Sequence, residues 1–290
     1  MPARSPVRLT HPDKLVFPDD GIVKADVAAY YASMAPVLLP HVRDRPLSMQ
    51  RFRDGIAHDG FYQKELPQGT PQWIKRVRIP KRGGSVCHML ANDRESLVWL
   101  AQINAVAFHV FPRRADRLDR PDRLVVDLDP PGDGDFADVR AAARAVGEQL
   151  RGVGLEPFAM TTGSKGIHVV APLRRTRSVA EVMAFADAFA AEAAARDPRR
   201  LTTAFHKAER GERIYVDVAR NRPAQMAVPP YVLRPRPGAP VATPLRWEEL
   251  DDPRLRPDGW TLRTVHDRLD VLGGDPWAQI ASAARSAPRV

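Results

Sequence analysis

The sequence predicts an α+β fold whose central part follows the order β-α-β-β-α-β. Short β-branched runs bounded by proline, glycine or charged residues mark four strands, and two alanine-rich segments with capping residues mark two helices. One helix follows the first strand and the other follows the third. This order is the split β-α-β signature of ferredoxin-like and RNA-recognition-motif-like (RRM-like) sheets, in which the first strand lies between the third and the fourth and is antiparallel to both.

Local signals define each of these elements. The first strand, Arg123–Asp129, stops at Pro130-Pro131-Gly132, and Asp135 caps a helix that runs to about Arg151. Two strands joined by a glycine turn come next, and Ser178 then caps the second helix. The predicted strands after the first one are 157–162, 167–171 and 213–218.

The flanking segments are expected to pack onto this core, so that residues 1–290 form a single domain. We predict an N-terminal α/β module over 1–115, the core over 116–250 and a C-terminal segment over 251–290. The elements predicted in the module are a helix over 24–39, strands near 71–79 and 105–110, and a helix between Asp93 and Asn104. Prolines become dense after Asn221, which predicts an extended, loop-like stretch, and residues 281–290 are expected to be a fraying helix end and tail.

Composition excludes several classes of protein. The chain of 290 residues has no apolar run near the roughly 20 residues that a membrane helix needs, and no secretory signal at its N-terminus. The single cysteine, Cys87, excludes an intrachain disulfide framework and any multi-cysteine metal site. We therefore expect a soluble, cytoplasmic protein with no membrane partner. Its 44 Lys and Arg exceed its 35 Asp and Glu, a formal charge of +9 that favours nucleic acid, although arginine-rich composition bias alone could produce it.

Two carboxylates on the first strand indicate metal-ion chemistry. Asp127 and Asp129 are two positions apart, so their side chains leave the same face of the strand. Two carboxylates side by side among apolar neighbours repel each other, which would raise the pKa of one of them unless a cation joins them. Hard ions such as Mg²⁺ or Mn²⁺ prefer oxygen ligands of this kind. The topology brings Asp217 of the fourth strand to the same pair, and three carboxylates are able to bridge two ions for phosphoryl chemistry on nucleotides. The alternative is that strand-end aspartates only cap the loop or helix that follows.

The turn Gly163-Ser164-Lys165-Gly166 is predicted to lie beside these aspartates. Together with His168 it offers backbone N–H groups, a hydroxyl, an ammonium and an imidazole, a combination that suits phosphate. It is not a Walker A loop, because that spacing is missing and no helix follows. An ordinary glycine-rich hairpin turn is the alternative.

These motifs resemble those of the archaeo-eukaryotic primase superfamily, and more closely those of the polymerase domain of bacterial ligase D, which works in non-homologous end joining. The three core motifs are 125–130, 164–169 and 215–217. Further matching segments are 11–18, 60–64, 99–104, 108–110 and 227–234, with Lys24 at the start of a predicted helix. The resemblance covers roughly residues 8–250, most of the chain.

The resemblance implies an archaeo-eukaryotic primase-like fold and a template-dependent nucleotidyltransferase. Such an enzyme adds NTPs or dNTPs to DNA 3′ ends at gaps or double-strand breaks with two Mn²⁺ or Mg²⁺ ions, in end joining or gap-filling repair. It also implies a cytoplasmic, nucleoid-associated location in a bacterium, and partners such as Ku and a separate ligase. The chain has no Lys-x-Asp-Gly adenylation motif, so it is expected to be either a free-standing polymerase or a domain of a longer protein.

The resemblance assigns roles to individual residues as well. The implied metal ligands, which are also the catalytic residues, are Asp127, Asp129 and Asp217. The implied nucleotide contacts are Arg51, His109, Ser164, Lys165, His168 and Arg234. The implied DNA contacts are Lys14 and Lys24 for a 5′-phosphate, Phe61 and Tyr62 for stacking on the template base, and Lys64. From the sequence alone, His109 is equally well explained as a satisfied histidine on an apolar strand, and the two aromatics as core residues.

Two other functions stay open at this point. A metal-dependent nuclease or phosphodiesterase would use the same carboxylates with water as the nucleophile, although the basic turn disfavours it. A non-catalytic DNA-end-binding protein would rely on the lysines and aromatics and would be indifferent to divalent metal.

Overall fold

The N-terminal part of the chain combines two helices with short antiparallel strands. A computed structural model describes residues 7–132 and 134–290, so the first six residues of the N-terminal module lie outside the described part. In chain order the elements here are β1 (Leu15–Phe17), β2 (Ile22–Val23), α1 (Lys24–Val42), β3 (Leu47–Arg51), β4 (Phe61–Gln63), β5 (Arg76–Lys81), β6 (Gly84–Met89), α2 (Arg94–Gln102) and β7 (Ala105–Val110).

The rest of the chain builds a central six-stranded sheet. Its elements are β8 (Arg123–Asp129), α3 (Phe136–Gly152), β9 (Phe158–Thr161), β10 (Ile167–Pro172), α4 (Val179–Arg196), β11 (Leu201–Thr202), α5 (Lys207–Arg210), β12 (Ile214–Asp217), β13 (Thr243–Pro244) and α6 (Val265–Leu272). The strand order is β11-β12-β8-β10-β9-β13. Strand β8 lies between β10 and β12 and is antiparallel to both, which confirms the predicted split β-α-β topology.

The capping residues begin the two core helices where the sequence predicts. The Asp135 carboxylate accepts a hydrogen bond from the backbone N–H of Ala137, at 2.9 Å. Ser178 and Glu181 form a reciprocal capping box at the start of α4. Each cap satisfies backbone donors that have no partner inside the helix, so it fixes where the helix begins.

The two faces of the central sheet pack against different parts of the molecule. On β8, Leu124, Val126 and Leu128 belong to the apolar cluster that contains residues of α3 and α4. Val125, on the opposite face, belongs to a second cluster with α1, α2 and β7. Because side chains alternate along a strand, Asp127 and Asp129 share the face of Val125. They therefore lie where the sheet meets the N-terminal part.

The N-terminal part contains strands that the sequence patterns miss. Strand β3 pairs with both β4 and β7 in a three-stranded antiparallel sheet. The strand expected near 71–79 begins only at Arg76 and pairs with the unpredicted β6. These strands are short and depend on partners far away in sequence, so local periodicity does not reveal them.

The C-terminal residues are not the fraying tail that the sequence predicts. Leu173, just after β10, forms a parallel bridge with Arg285, and the side chain of Ala287 is buried in the cluster under α3 and α4. The expectation for 281–290 is wrong because this stretch gains backbone pairing and apolar contact from the sheet. Within the described residues, every helix is too short or too polar to cross a membrane.

Candidate active site

Three carboxylates converge at the end of β8. Asp127 and Asp129 leave the same face of this strand, and Asp217 of β12 lies directly opposite Asp127 in the antiparallel register. One carboxylate oxygen from each of the three lies within 4.8 Å of the others. The strand register therefore brings together the three aspartates that the sequence groups by topology.

The charges around the triad shift its pKa values in opposite directions. Burial alone would raise the pKa of Asp127, but His168 and Arg220 outweigh it through charge and hydrogen bonding and lower that pKa to about 2. Burial raises the pKa of Asp129 to about 6, with a further contribution from the charge of Asp127. Burial likewise raises the pKa of Asp217. Two of the three groups thus resist ionisation unless a cation joins them.

Arg220 supplies positive charge to this cluster and was not predicted from the sequence. Its Nε lies 3.1 Å from Oδ2 of Asp127 and 3.6 Å from Oδ2 of Asp217. The next residue, Asn221, is fully buried, and its amide bonds both the N–H and the carbonyl of Val125 in β8. This anchor holds the turn after β12 against the sheet and so positions Arg220. The only sequence signal that could have indicated this role for Arg220 is its position three residues after Asp217.

The donor set of the triad fits a hard divalent cation. All the candidate ligands are carboxylate oxygens, which such ions prefer. Oδ1 of Asp127 is buried and has no aligned hydrogen bond among the described residues, although Nε2 of His168 lies 3.3 Å away. A bound cation would give this buried acceptor a well-aligned partner besides the imidazole.

The glycines of the basic turn allow close approach to β8. Gly163 has a positive φ of 64°, and a Cβ on it would lie 2.7 Å from Cγ of Arg234. A Cβ on Gly166 would lie 2.4 Å from the carbonyl oxygen of Leu128. The turn carrying Ser164 and Lys165 therefore packs directly against the strand that bears the carboxylates.

Two histidines border the carboxylates from different strands. His168 lies opposite Asp127 in the register of β10 with β8. His109, on β7, is in ring contact with Tyr62 at 5.7 Å between centroids, and its Nδ1 is buried without a hydrogen bond in the described residues. Burial, and then the charge of Arg234, lower the pKa of His109 to about 3, so its imidazole is neutral.

A cleft of about 960 Å³ joins most of the predicted residues. The predicted residues that line it are Tyr62, His109, Asp127, Asp129, Ser164, Lys165, His168 and Arg234. Four cations that sequence reasoning missed also line it, namely Lys207, Arg210, Arg220 and Arg236. Lys207 and Arg210 belong to the short helix α5, whose surroundings gave no recognisable motif. The cleft is therefore basic around a buried acidic centre.

Arg51, for which the resemblance implies a nucleotide contact, does not line the cleft that contains the basic turn. Arg51 lines a separate cavity of about 660 Å³ together with Lys14 and Lys24. Its guanidinium donates to the carbonyl of Ile103 and to the side chain of Gln63, at 2.8 and 2.7 Å. The register of β3 with β7 shifts between Gln50 and Arg51, at the end of this pairing.

The second cavity contains a buried cation. Lys24 is only 3% exposed, and its ammonium has no ion pair with any carboxylate of the described residues. Burial, and then the charge of Lys14, lower its pKa. Lys14 is paired with Asp54 at 3.0 Å. Two lysines and one arginine around a cavity, with one of them unpaired, form an anion-binding arrangement.

The aromatic pair on β4 is exposed, which excludes a core role. Tyr62 is 62% exposed, and Phe61 lies under the guanidinium groups of Arg51 and Arg53, 5.5 and 5.3 Å from its ring centroid. Lys64, just after the strand, donates to the carbonyl of Ala224 at 3.3 Å. This strand presents two flat rings, of which Tyr62 lines the cleft and Phe61 packs against the two arginines.

Comparison with known proteins identifies the family. The family model described as the LigD primase-polymerase domain matches residues 23–277. The chain is 34% identical over 269 residues to the multifunctional non-homologous end joining protein LigD of Mycolicibacterium smegmatis, covering 92% of this chain and 35% of that protein. It is 34% identical over 280 residues to the same-named protein of Pseudomonas aeruginosa, covering 96% of this chain and 33% of that one. The chain thus spans about a third of the length of these curated relatives.

A solved structure agrees with these sequence matches. The polymerase domain of Mycobacterium tuberculosis ligase D in complex with DNA superposes with a TM-score of 0.89 at 31% identity, over 96% of this chain and 99% of that one. The similarity in fold therefore extends over the N-terminal part and the central sheet alike. The resemblance and the primase-like fold expected from the sequence are confirmed, and the chain belongs to the LigD primase-polymerase domain family.

Proposed function

We propose that this chain is a template-dependent nucleotidyltransferase that adds nucleotides to DNA 3′ ends at gaps or double-strand breaks. One observation carries the proposal: three carboxylates lie within 4.8 Å of one another, and two of them, Asp127 and Asp129, line a cleft together with the basic turn at Ser164 and Lys165. Carboxylates that bind metal beside phosphate-binding groups are the arrangement that nucleotidyl transfer requires. Membership of the LigD family supports a role in end joining, with Ku and a ligase as partners.

Two Mn²⁺ or Mg²⁺ ions are the proposed cofactors. Asp127 and Asp129 would hold both, and Asp217 would hold the one on the side of the primer. When bound, such ions lower the pKa of the primer 3′-hydroxyl and neutralise the pyrophosphate that leaves. Arg220 balances the charge of Asp127 and Asp217 before the ions bind.

The incoming nucleotide is proposed to lie on the β10 side of the triad. Ser164, Lys165 and His168 would contact its triphosphate, with Arg234 behind the turn. Arg234 is largely buried and its Nε has no hydrogen bond among the described residues, so a phosphate oxygen would give it a partner. His109 is neutral and would hydrogen-bond the sugar without adding charge.

Three features support binding of a gapped duplex. Phe61 and Tyr62 offer rings on which an unpaired template base can stack, and Lys64 lies next to them. Lys14, Lys24 and Arg51 are proposed to bind the 5′-phosphate of the downstream strand, so Arg51 is reassigned from the nucleotide to this phosphate. The unpaired ammonium of Lys24 supports that reassignment.

Primer extension on a gapped duplex tests the proposal. We expect nucleotide addition with Mn²⁺ or Mg²⁺, loss of it in the double variant Asp127→Asn/Asp129→Asn, and retained binding of DNA by that variant. Asp116→Asn is a matched control, because this exposed aspartate pairs with Arg175 away from the cleft. Extension by the double variant, or degradation of the DNA without nucleotides, would contradict the proposal; the second result indicates a nuclease.

The reassigned arginine has its own test. Arg51→Ala should reduce the preference for a 5′-phosphorylated gap over an unphosphorylated one and leave the KM for the nucleotide unchanged. A raised KM for the nucleotide, with an unchanged preference for the 5′-phosphate, would show that Arg51 contacts the triphosphate and not the 5′-phosphate.

A further inference from the structure

A separate cavity of about 420 Å³ lies at the end of β8 that is opposite to the carboxylates. Arg123, the first residue of β8, is in its wall and stands four positions before Asp127, a distance of about 13 Å along a strand. The other walls are the end of α1, the end of β10 and the segment 275–284. Among the described residues, this space, the rear cavity, shares none of its lining with the catalytic cleft. Its volume is typical of sites for small molecules.

Arg123 is a buried cation without an anion in contact. The residue is 8% exposed, and its guanidinium has no ion pair within the described part of the chain. Its one hydrogen bond there joins Nη2 to Nδ1 of His41, at 3.3 Å. Nε2 of His41 lies 2.7 Å from Oδ2 of Asp275, and burial lowers the pKa of His41, so this ring is neutral and donates its single proton to Asp275. Nδ1 accepts from Arg123 but leaves its charge unbalanced.

The two aspartates of the rear cavity already have other partners. Asp122 accepts two hydrogen bonds from the guanidinium of Arg45, each of 2.6 Å, and a third from Nε of Arg114 at 3.0 Å. Both oxygens of Asp275 are likewise hydrogen-bonded. Three arginines thus face two carboxylates, which leaves one positive charge at Arg123. Burial, and then the charge of Arg45, lower the pKa of Arg123 to about 9.

Apolar side chains form much of the remaining wall, among them Val37 of α1, Leu173 after β10 and Ile280 of the C-terminal segment. A buried charge is costly unless an opposite charge joins it. A guanidinium pairs with a carboxylate through two parallel hydrogen bonds, which match its planar shape. We propose that the rear cavity binds a small organic carboxylate, whose carboxyl group pairs with Arg123 and whose apolar body packs on these walls.

The charge of the rear cavity favours a carboxylate over a phosphate. A carboxylate carries one negative charge, which equals the one that Arg123 leaves unbalanced. A phosphate group carries about −1.5 to −2 at neutral pH and has three acceptor oxygens. The apolar walls offer no donors for the additional oxygens, so they would stay without partners.

Binding of benzoate to the whole chain tests the proposal. Benzoate is a carboxylate on an apolar ring, and the ¹H–¹⁵N signal of the Trp277 indole reports its binding, because Trp277 is in the cavity wall. The variant Trp277→Phe identifies this signal. We expect benzoate to shift it to saturation. Benzamide, which has nearly the same shape without the charge, should bind at least roughly tenfold more weakly, and inorganic phosphate should leave the signal in place.

Two variants test whether the probe binds in the rear cavity. Arg123→Met replaces the guanidinium with an adaptable apolar side chain and should weaken benzoate binding at least roughly tenfold. Ala281→Trp puts a large ring at an exposed position of the cavity wall and should weaken binding as much, so the test stays decisive if Arg123→Met does not fold. Val271→Trp is the matched control and should bind benzoate like the wild type, because Val271 is 86% exposed on α6.

Several results would overturn the proposal. They are an unmoved Trp277 signal with benzoate, equal affinities for benzoate and benzamide, an equal shift with inorganic phosphate, and wild-type affinity for benzoate in Ala281→Trp or in folded Arg123→Met. Nucleotide addition is not part of any of these measurements, so their outcome does not depend on the proposed function.

Discussion

Asp127 and Asp129 stand two positions apart on one strand, yet their carboxyl groups have opposite pKa shifts. Asp127 lies between His168 and Arg220, whose charges outweigh the effect of burial and lower its pKa to about 2. Asp129 has no ion pair with a side chain of the described residues, so burial and the charge of Asp127 outweigh the more distant Arg220 and His168 and raise its pKa to about 6. Sequence spacing places both groups on one face, but only their cross-strand neighbours decide which is ionised.

At the same scale, His109 should make folding stability depend on pH. Burial lowers its pKa to about 3, so the folded protein keeps it neutral while the unfolded chain takes up a proton near pH 6.5. The stabilising effect of this group is therefore complete above pH 6.5 and is lost as the pH falls toward 3. In His109→Gln, the slope of the free energy of unfolding against pH should be smaller by up to about 1.4 kcal/mol per unit between pH 6.5 and 5.

Denaturant titrations at several pH values measure this slope. Tyr62→Phe is the control, because it keeps the ring against His109 and removes only the hydroxyl. Curves of equal slope for His109→Gln and the wild type would show that the imidazole does not stay neutral in the fold.

At the scale of elements, the turn between β9 and β10 decides whether the carboxylates have phosphate-binding groups beside them. The hydroxyl of Thr162 donates to the carbonyl of Gly166 at 3.1 Å, which closes the turn. Gly163 fits against Arg234 and Gly166 against β8 with no room for a side chain. The turn is thus positioned by close backbone contact, and its two glycines are required for different reasons, one also for its positive φ.

Gly166→Ala should therefore displace this turn. A Cβ would lie 2.4 Å from the carbonyl oxygen of Leu128, a backbone atom that has little freedom to move. We expect a loss of about 1–3 kcal/mol in stability, as for other overpacked sites, and a raised KM for the nucleotide. Thermal unfolding and steady-state kinetics measure the two effects.

Gly152→Ala in the last turn of α3 is the matched control. A Cβ there meets nothing within 4 Å, and alanine favours helix, so this variant should be as stable as the wild type or slightly more so. If Gly166→Ala keeps both the stability and the nucleotide KM of the wild type, close packing of the turn is unimportant.

At the scale of the whole molecule, buried polar contacts of the C-terminal segment join the N-terminal part to the sheet. Asp275 accepts hydrogen bonds from His41 of α1 and from the hydroxyl of Tyr231, at 2.7 and 2.6 Å. The indole of Trp277 donates to the carbonyl of Ala159 in β9, at 3.1 Å. These contacts cross the boundaries proposed at 115 and 250, so the three proposed segments are in contact with one another. That residues 1–290 form a single domain stays a prediction.

Trp277→Ala tests that prediction. The side chain is fully buried among residues of both parts, so its loss should cost about 3–5 kcal/mol. If the chain is one cooperative domain, calorimetry should show a single transition at a lower temperature. Two separate transitions in the wild type or the variant would show that the N-terminal part and the sheet unfold independently.

Local sequence patterns are enough to establish the order of the core elements and the face that the carboxylates share. Asp135 and Ser178 mark helix starts because capping is a local interaction, and Asp127 and Asp129 share a face because the period of a strand is two. The density of ordered motifs along the chain also indicates the family. These features depend on the residue types at each position and on neighbours a few residues away, so they can be predicted from the sequence.

Which charged and aromatic groups meet depends instead on tertiary packing. Packing places Arg51 in one cavity with Lys14 and Lys24, and it places Arg220 against the three carboxylates. It also pairs the last residues with the end of β10. Each of these outcomes depends on strand registers and loop paths between residues distant in sequence. Long-range contacts fix those paths, and no local period encodes them.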